Sequence, residues 1–264
     1  MDKEKLLRFA SGDDRLLLAK VLDKWEQART RNIPTCTGFL TTAEQTAAAQ
    51  LLTAASAGDT ALFWGGYEAA ERKLLVCLPD WQTAETFLEG DALPIRALRC
   101  VCRPEFGLTH RDYLGALMGL GIVREKIGDI LVTEDGCDLL VASTVADFLL
   151  QGWETAGRAP VAVTAIETDA LRCPEIKCEL VRDTVMSLRL DAVVAAGFHL
   201  ARSRAATLIA GGRVQVNGRD CDKTDKLVAQ GDTLSARGLG KCELVEVGGL
   251  SRKGRTGIVL KRYL

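Results

Sequence analysis

The stretch LTHRDYLGALMGLGIVREKIGDILV, Leu108 to Val132, changes from a helical pattern to a strand pattern. Apolar side chains recur at helical spacing from Tyr113 to Leu120, and Gly121 follows as a residue that readily ends a helix in the left-handed conformation. Thr109 is placed as the N-cap, and Asp112 faces the unpaired amides of the first turn. The run DILVT then favours a strand. The stretch therefore predicts a helix and a strand joined by a short loop.

The segments on either side complete an ordered pattern. PIRALRCVC, which precedes the helix, is a strand pattern, and CDLLVA is a second strand joined to DILVT through Glu134-Asp135-Gly136. Ser143 is placed as the cap of a helix through TVADFLLQGWE, and PVAVTAI supplies the last strand. The order βαββαβ predicts the ferredoxin-like arrangement, which many RNA-recognition domains share.

The two predicted central strands, PIRALRCVC and CDLLVAS, contain no aromatic side chain. An RNA-recognition motif stacks bases on aromatic residues of these strands. We therefore expect no standard reading of single-stranded RNA on this sheet. Any RNA or ribosome contact is expected at a polar edge that includes Arg111, Arg124 and Lys126, and the alternative is that these cations form a solvated rim.

The triplet His110-Arg111-Asp112 also opens the catalytic loop of protein kinases. In kinases an Asn follows that Asp by five residues, whereas this chain has Leu117 there. The nearest match to the metal-binding Asp-Phe-Gly motif, Asp147-Phe148, is followed by Leu149. The sequence therefore excludes a protein kinase.

The composition is that of a globular protein, with 264 residues, of which 47% are hydrophobic and 26% charged. No apolar run approaches the roughly 18 to 20 residues of a membrane span, and the start, MDKEKLLRFASGDDRLLLAK, is too charged for a secretory signal. We expect a cytoplasmic protein without membrane contact.

Nine cysteines occur without a Cys-x-x-Cys pair, and the chain has two histidines. Neither a disulfide framework nor a zinc ribbon is indicated, and reduced, mostly buried thiols are expected. Cys100 and Cys102 would share one face of a strand, which is a weak metal signal. We predict no metal site, no cofactor and no catalytic residue.

Charge is distributed unevenly along the chain. Residues 187–264 hold 14 Lys and Arg against 7 Asp and Glu, a formal charge of +7, whereas the remaining residues carry −8. A basic module joined to an acidic body indicates a polyanionic partner, because Lys and Arg contacts to phosphate dominate nucleic-acid affinity. A merely solvated basic face is the alternative.

The first 58 residues have mainly helical patterns, including an apolar stripe at Leu16, Leu17, Val21, Leu22 and Trp25. ALFWGG and KLLVCLP follow as strands of a hairpin that flank GGYEAAERK. We predict an α+β protein of three domains: an N-terminal helical domain with a hairpin (1–80), a ferredoxin-like domain (81–180) and a basic C-terminal domain (181–264).

The basic domain begins with two short helices, the first from about Arg189 to Ala196 and the second capped by Ser203 and ended by Gly211-Gly212. In RVQVNGRD the valines point inward, and Asn217-Gly218 is a strong hairpin signal. Arg204 would lie in the first turn of the second helix, where a cation opposes the helix dipole. A bound phosphate would make that placement favourable.

The stretch Ser187 to Gly238 resembles the S-four RNA-binding domain. Matching motifs include Arg189-Leu190-Asp191, Ser203-Arg204, Val216-Asn217-Gly218 and Gly231-Asp232. The resemblance implies a helix-pair and strand surface that grips structured RNA, and it implies RNA contact for Arg189, Arg202, Ser203, Arg204, Arg213, Asn217 and Lys226. The neighbouring cations Arg219, Lys223, Arg237 and Lys241 complete the predicted surface.

The chain as a whole resembles the YlmH-type family, through GGYEAAERK, the stretch from Leu108 to Val132, SLRLD and LSARGLGK. This resemblance implies a non-enzymatic, monomeric RNA-binding factor of ribosome-associated quality control. It would bind ribosomal RNA of the large subunit and tRNA when a peptidyl-tRNA remains trapped, together with other quality-control factors. Cyanobacterial and plastid relatives are linked to photosystem assembly.

Two other functions remain open on the sequence. One is an enzyme that modifies ribosomal RNA, because S-four domains accompany pseudouridine synthases, whose catalytic Asp lies in an Arg-Leu-Asp motif. In this chain Arg189-Leu190-Asp191 opens the S-four stretch itself, so Asp191 is interpreted as a structural residue. The other is a protein adaptor linked to cell division or photosystem assembly.

Overall fold

The computed structural model describes residues 3–7, 12–90, 93–174, 177–250 and 254–263. The chain forms two compact units, residues 1–174 and residues 175–264. Helices and strands alternate in both, which confirms the predicted α+β class. The three-domain division at residues 80 and 180 stays a prediction. Within the described ranges no helix has the length and apolar character needed to cross a bilayer.

Eight α-helices are described in these ranges: α1 (Lys3–Leu6), α2 (Gly12–Arg31), α3 (Thr42–Ala54), α4 (Ala84–Leu88), α5 (His110–Gly119), α6 (Ser143–Gly152), α7 (Leu190–Gly197) and α8 (Arg202–Ala210). The strands of the first unit are β1 (Thr35–Leu40), β2 (Ala61–Trp64), β3 (Lys73–Cys77), β4 (Ile95–Val101), β5 (Ile127–Thr133), β6 (Gly136–Ala142), β7 (Thr155–Ala156), β8 (Ala159–Pro160) and β9 (Ala162–Ile166). Those of the second unit are β10 (Cys178–Val185), β11 (Val214–Val216), β12 (Arg219–Asp220), β13 (Thr233–Ala236), β14 (Gly240–Leu250) and β15 (Thr256–Tyr263).

The N-terminal part of the first unit is a three-stranded antiparallel sheet, in the order β1-β3-β2, covered by α2 and α3. The β2–β3 pair confirms the predicted hairpin. The helical interpretation of the first 58 residues is wrong at β1, because its backbone pairs with β3 from Thr35↔Cys77 to Leu40↔Lys73 and buries Phe39 and Leu40. Residues 8–11 of that segment lie outside the described ranges.

The apolar stripe of α2 is displaced from the predicted one. Leu18, Val21, Leu22, Trp25 and Ala28 are buried against α3 and the sheet, whereas Leu16 is exposed. Successive residues of an α-helix point to different sides of the helix, so Leu16 and Leu17 do not both face the core. The periodicity therefore predicted the helix correctly but placed Leu16 on the wrong face.

The middle of the first unit is a four-stranded antiparallel sheet in the order β5-β6-β4-β9. With α5 and α6 on one face it has the predicted ferredoxin-like βαββαβ order, and β4 and β6 are central as predicted. The N–H and hydroxyl of Thr109 donate to Asp112 Oδ2 at 2.8 and 2.6 Å, which confirms that Asp112 belongs to the start of α5. The predicted cap Ser143 is wrong by one residue, because Ala142 is the N-cap of α6.

The face of this sheet opposite α5 and α6 is packed against the N-terminal sheet. Ile95, Ala97, Leu140 and Ala142 share one buried cluster with side chains of the N-terminal sheet and α4, namely Phe39, Leu74, Val76, Leu78 and Phe87. The apolar character of β6, buried along its whole length, follows from this double coverage.

GGYEAAERK joins the two sheets. A Cβ on Gly65 would lie 2.3 Å from Ala70 Cβ, and Gly66 has φ +94°, so both positions need glycine. Asp129 accepts hydrogen bonds from the Tyr67 hydroxyl and from the backbone N–H of Glu71 and of Arg72, at 2.7 to 3.0 Å. The motif therefore has an internal structural role.

The second unit is a six-stranded antiparallel sheet in the order β10-β15-β14-β13-β11-β12. Its α7 and α8 pack on one face, in a core that includes Leu190, Val194, Ile209, Leu234 and Leu260. The two predicted helices and the termination at Gly211-Gly212 are confirmed, with Gly212 at φ +63°. Three of the predicted RNA-contacting residues, Arg202, Ser203 and Arg204, lie in the first turn of α8, and Arg189, Arg213 and Asn217 directly flank α7 and β11.

Candidate nucleic-acid interface

The start of α7 is built around one buried carboxylate. Asp191 accepts hydrogen bonds from Arg189 at 3.2 Å and from Arg202 at 3.1 to 3.2 Å, and its side chain is 8% exposed. Burial raises the pKa of Asp191, but the bonds from the two guanidiniums outweigh it and the pKa is lowered. Two cations held by one anion leave a net positive charge at fixed positions. The contacts also agree with the prediction that Asp191 is a structural residue.

The start of α8 is open toward solvent. Its N-cap is Ala201, and no side chain caps the helix, so the prediction that Ser203 is the cap is wrong. The helix begins earlier because Ala201 O already accepts hydrogen bonds from the N–H groups of Arg204 and Ala205, at 2.9 and 3.1 Å. Ser203 and Arg204 are exposed in the first turn, and in the described part of the chain the Arg204 guanidinium has no bonding partner. Uncapped amides and a cation together suit an anion such as phosphate.

Arg213 and Arg237 are distant in sequence but adjacent in the fold. The Arg237 N–H donates to Arg213 O at 2.9 Å, and Arg213 Nη2 donates to Arg237 O at 3.3 Å. Both arginines line a groove of about 480 Å³ with Gly212, Gln215, Asp220, Ser235 and Ala236. The carboxylate of Asp220 in this groove accepts a hydrogen bond from Gln215 Nε2 at 2.9 Å. The groove therefore presents two guanidiniums at one end of the sheet.

The other predicted cations of the second unit lie on different elements. Lys223 and Lys226 are exposed on the loop between β12 and β13, and Lys226 O accepts a hydrogen bond from Leu190 N–H at 2.8 Å, so the loop lies beside the start of α7. Arg219 is exposed on β12. Lys241 lies on β14, with its Nζ 5.4 Å from the centre of the Tyr263 ring.

Asn217 has an internal role in the turn between β11 and β12. Asn217 and Gly218 have φ +52° and +75°, as the predicted hairpin requires. Asn217 Nδ2 donates to Asp232 Oδ1 at 2.7 Å, and the Thr233 N–H donates to Asn217 Oδ1 at 2.8 Å. Both ends of its amide take part in these bonds, and RNA contact by Asn217 stays a prediction.

The variant Asn217→Ala is expected to lower the free energy of unfolding of the second unit by about 2 kcal/mol. Alanine loses the two side-chain bonds and is disfavoured in the left-handed conformation by about 1–2 kcal/mol. Hydrogen exchange across β11 and β13 measures the effect. Asn217→Gly, which tolerates the backbone conformation, should recover part of the loss, and exchange as slow as in the natural chain in Asn217→Ala would contradict this role.

The three cations of the middle region are placed differently from one another. Arg111 is exposed on α5. Arg124 Nη1 donates to Ile127 O at 2.8 Å and to Gly128 O at 3.2 Å, and burial, with the neighbouring Arg72, lowers the pKa of Arg124 to about 10. Lys126 Nζ donates to Thr144 Oγ1 at 3.3 Å. Of the three predicted secondary contacts, Arg111 is the one whose side chain faces solvent without a bonding partner in the described ranges.

The sheet of the middle region cannot act as a standard RNA-recognition surface. Its central strands have no aromatic residues, and their face opposite the helices is covered by the N-terminal sheet.

In the described ranges, no three His, Cys, Asp or Glu side chains lie close enough to one another to hold a metal ion.

The chain matches two family models and a curated relative. The model described as "Putative RNA-binding domain in YlmH" matches residues 105–170, and the S4 (S-four) domain model matches residues 188–234. The "Ribosome-associated protein quality control protein P2" of Bacillus subtilis (strain 168) is 37% identical over 201 residues, which cover 76% of this chain and 77% of the relative. The chain belongs to the YlmH family. The predicted family and the S-four domain are thereby confirmed.

A solved structure of this family has a similar fold. The cell division protein ylmH from Streptococcus pneumoniae aligns with a TM-score of 0.51 at 20% identity, over 61% of this chain and 96% of that structure. At this identity the match concerns the fold alone. The first family model covers the chain from α5 to β9, which is the ferredoxin-like region without its first strand, β4.

Sequence reasoning did not identify the role of Arg255 in the second unit. Arg255, on the approach to β15, has its Nε 2.9 Å from Thr184 Oγ1, and another of its nitrogens donates to Thr184 O. These contacts connect β10 to the start of β15, and the two strands pair although they are far apart in the sequence. No local pattern signals such a pairing, and Arg255 lies beyond the stretch that resembles the S-four domain.

Proposed function

We propose that this chain is a non-enzymatic RNA-binding factor of ribosome-associated quality control. In this proposal it binds ribosomal RNA of the large subunit and tRNA when a peptidyl-tRNA remains trapped there. The observation that carries the proposal is the cationic surface of the S-four unit, where Arg204 lies at an open helix start and Arg213 lines a groove with Arg237. The name of the Bacillus subtilis relative supports the ribosomal context.

The contacts of Asp191 support a role without catalysis. A catalytic carboxylate has to reach its substrate, whereas Asp191 is buried and bonded to two arginines that fix it at the start of α7. Mass spectrometry of ribosomal RNA from a deletion strain tests this point. A missing modification that the natural protein restores, and the variant Asp191→Asn does not, would favour the enzyme.

The proposal also includes a second RNA contact, the oligomeric state of the protein and its location. We assign a secondary RNA contact to Arg111, whose helix α5 begins the region matched by the family's RNA-binding domain. The protein acts as a monomer in the cytoplasm, together with other quality-control factors.

The experiment that tests the proposal is crosslinking and sequencing of RNA bound to the protein in cells. We expect signal concentrated on large-subunit ribosomal RNA and tRNA, and we expect the double variant Arg204→Glu/Arg213→Glu to lose it, because two phosphate contacts are replaced by repulsion.

The matched control is Arg31→Glu/Arg182→Glu, which makes the same change in net charge at exposed positions outside the predicted surface. Signal on messenger RNA, or equal ribosome association of both double variants and the natural protein, would contradict the proposal. The second result would favour a protein adaptor.

A further inference from the structure

The second unit contains a small cavity that the predicted RNA contacts, apart from Arg202, do not line. It has a volume of about 300 Å³ and lies between the end of β10, α7 and the start of α8. Its apolar lining includes Met186, Ala192, Ala195 and Leu200, and its charged lining consists of Asp183, Arg202 and Arg255. This size is at the lower end of that of ligand pockets, which is about 300–1,000 Å³.

The two guanidiniums at the cavity are held in place by other residues. Arg202 is bonded to both oxygens of Asp191, and Arg255 is bonded to the hydroxyl and carbonyl of Thr184. Because these anchors lie within the unit, the arginines lose little conformational freedom when an anion binds. Fixed guanidiniums bind phosphate and also stack on the face of a nucleobase.

Part of the apolar lining is accessible to solvent. Met186 is 64% exposed, and Ala192 and Ala195 are partly exposed on the adjoining face of α7. Flat apolar surface beside fixed cations suits a group that has an apolar face and an anionic end. An unpaired nucleotide has both, since its base can leave the stack while its phosphate stays on the backbone.

The carboxylate of Asp183 determines the orientation of such a nucleotide. One of its oxygens accepts a hydrogen bond from the Thr184 N–H at 2.6 Å. A carboxylate repels phosphate but accepts hydrogen bonds from the exocyclic amino group of a base. The base, and not the phosphate, is therefore expected beside Asp183.

We propose that this cavity receives one unpaired nucleotide of the bound RNA, with its base against Met186 and the alanines of α7 and its phosphate at Arg202 and Arg255. The inference rests on the proposed function and adds a preference to it. Structured RNA with an extruded, amino-bearing base binds more tightly than the same RNA with every base paired.

The test uses the full chain and two hairpin RNAs, one with a single bulged adenosine and one fully paired. We expect the bulged hairpin to bind about tenfold more tightly, since the base removes apolar surface of Met186 and of the α7 alanines from water and its phosphate gains two charged partners. Ala195→Met fills the cavity, and Met186→Ala removes its exposed wall. Both variants are expected to reduce the preference to within about twofold while affinity for the paired hairpin is unchanged.

The control is Ala49→Met, at an exposed position of α3 in the first unit, which should keep the preference. A third hairpin with a bulged uridine, which lacks an amino group but keeps a base face and a phosphate, should bind with an affinity between those of the other two. Equal binding of the bulged adenosine and paired hairpins by the natural chain, or a preference that survives both cavity variants, would overturn the inference and leave the proposed function intact. Absence of binding to every RNA would overturn both.

Discussion

Replacing Asp138 by Asn is expected to lower the free energy of unfolding of the first unit by about 3 kcal/mol. Asp138 is fully buried and accepts hydrogen bonds from Arg99 Nε and Nη2 at 2.8 Å, and from the Arg172 N–H and Nη2 at 2.8 and 3.0 Å. Removing one member of a buried ion pair costs about 3–5 kcal/mol, because its partners keep their charge. The lower end applies here, since the two arginine side chains are 26% and 32% exposed and can be partly hydrated.

The measurement is urea unfolding followed by tryptophan fluorescence. The chain has four tryptophans, Trp25, Trp64, Trp81 and Trp153, and all lie in the first unit, so the signal reports that unit alone. Asp147→Asn, at an exposed position of α6 without a bonding partner in the described ranges, is the matched control and should change stability by less than about 0.5 kcal/mol. Equal unfolding midpoints for the two variants would contradict the role of Asp138.

The same ion network predicts how stability depends on pH. Burial raises the pKa of Asp138, but the hydrogen bonds from Arg99 and Arg172 outweigh it and lower the pKa to about 2, from 3.8. A carboxylate with a lowered pKa stabilises the folded state fully above pH 3.8, and this contribution is lost as the pH falls toward 2. The loss is about 2 kcal/mol. In Asp138→Asn this part of the acid dependence should be absent.

The fold could be predicted wherever local pattern and tertiary packing agree. The helix α5, with its Thr109 and Asp112 start and its stop before Gly121, combines helical spacing with cap chemistry, and its placement was confirmed. The strand β1 could not be found in this way. It is extended because of its pairing with β3, whose residues lie far along the chain.

The candidate interface was predictable only in part. Arg204 and Arg213 follow from helix and hairpin signals within the stretch that resembles the S-four domain. The proximity of Arg213 to Arg237 and the place of Arg255 beside Thr184 depend on strand pairing over long separations. Leu74 and its neighbours cover one face of the ferredoxin-like sheet. This packing joins segments distant in sequence, so no local pattern predicts it.

That covering also restricts where the first unit can contact RNA. The central strands lack aromatic residues, and their open face is used for packing, so the sheet is unsuited to single bases. The exposed polar parts of α5 remain accessible, with Arg111 in the first turn. The two regions matched by family models therefore offer unequal surfaces, and the second unit, which contains the S-four domain, should supply most of the electrostatic affinity.

The variant Arg204→Glu/Arg213→Glu is accordingly expected to weaken binding of structured RNA by about a hundredfold or more at low salt. Each arginine is expected to contact one phosphate, and a hydrogen bond to a charged group contributes about 1.5–3 kcal/mol. Loss of two contacts should also make the plot of log affinity against log salt concentration shallower by about 1.4–1.8 units, since each neutralised phosphate contributes a slope of about 0.7–0.9. Fluorescence anisotropy with a labelled hairpin RNA at several salt concentrations measures both quantities.

Two further variants separate the lost contacts from simple repulsion. Arg204→Gln/Arg213→Gln removes the same charges without adding new ones, so it should give a similarly shallow slope with a smaller loss of affinity. Arg31→Glu/Arg182→Glu changes the net charge equally but should keep the slope of the natural chain, because neither position belongs to the predicted surface. If all three double variants weaken binding equally, net charge rather than the α8 and β11 surface determines affinity, and the assignment of Arg204 and Arg213 as phosphate contacts is wrong.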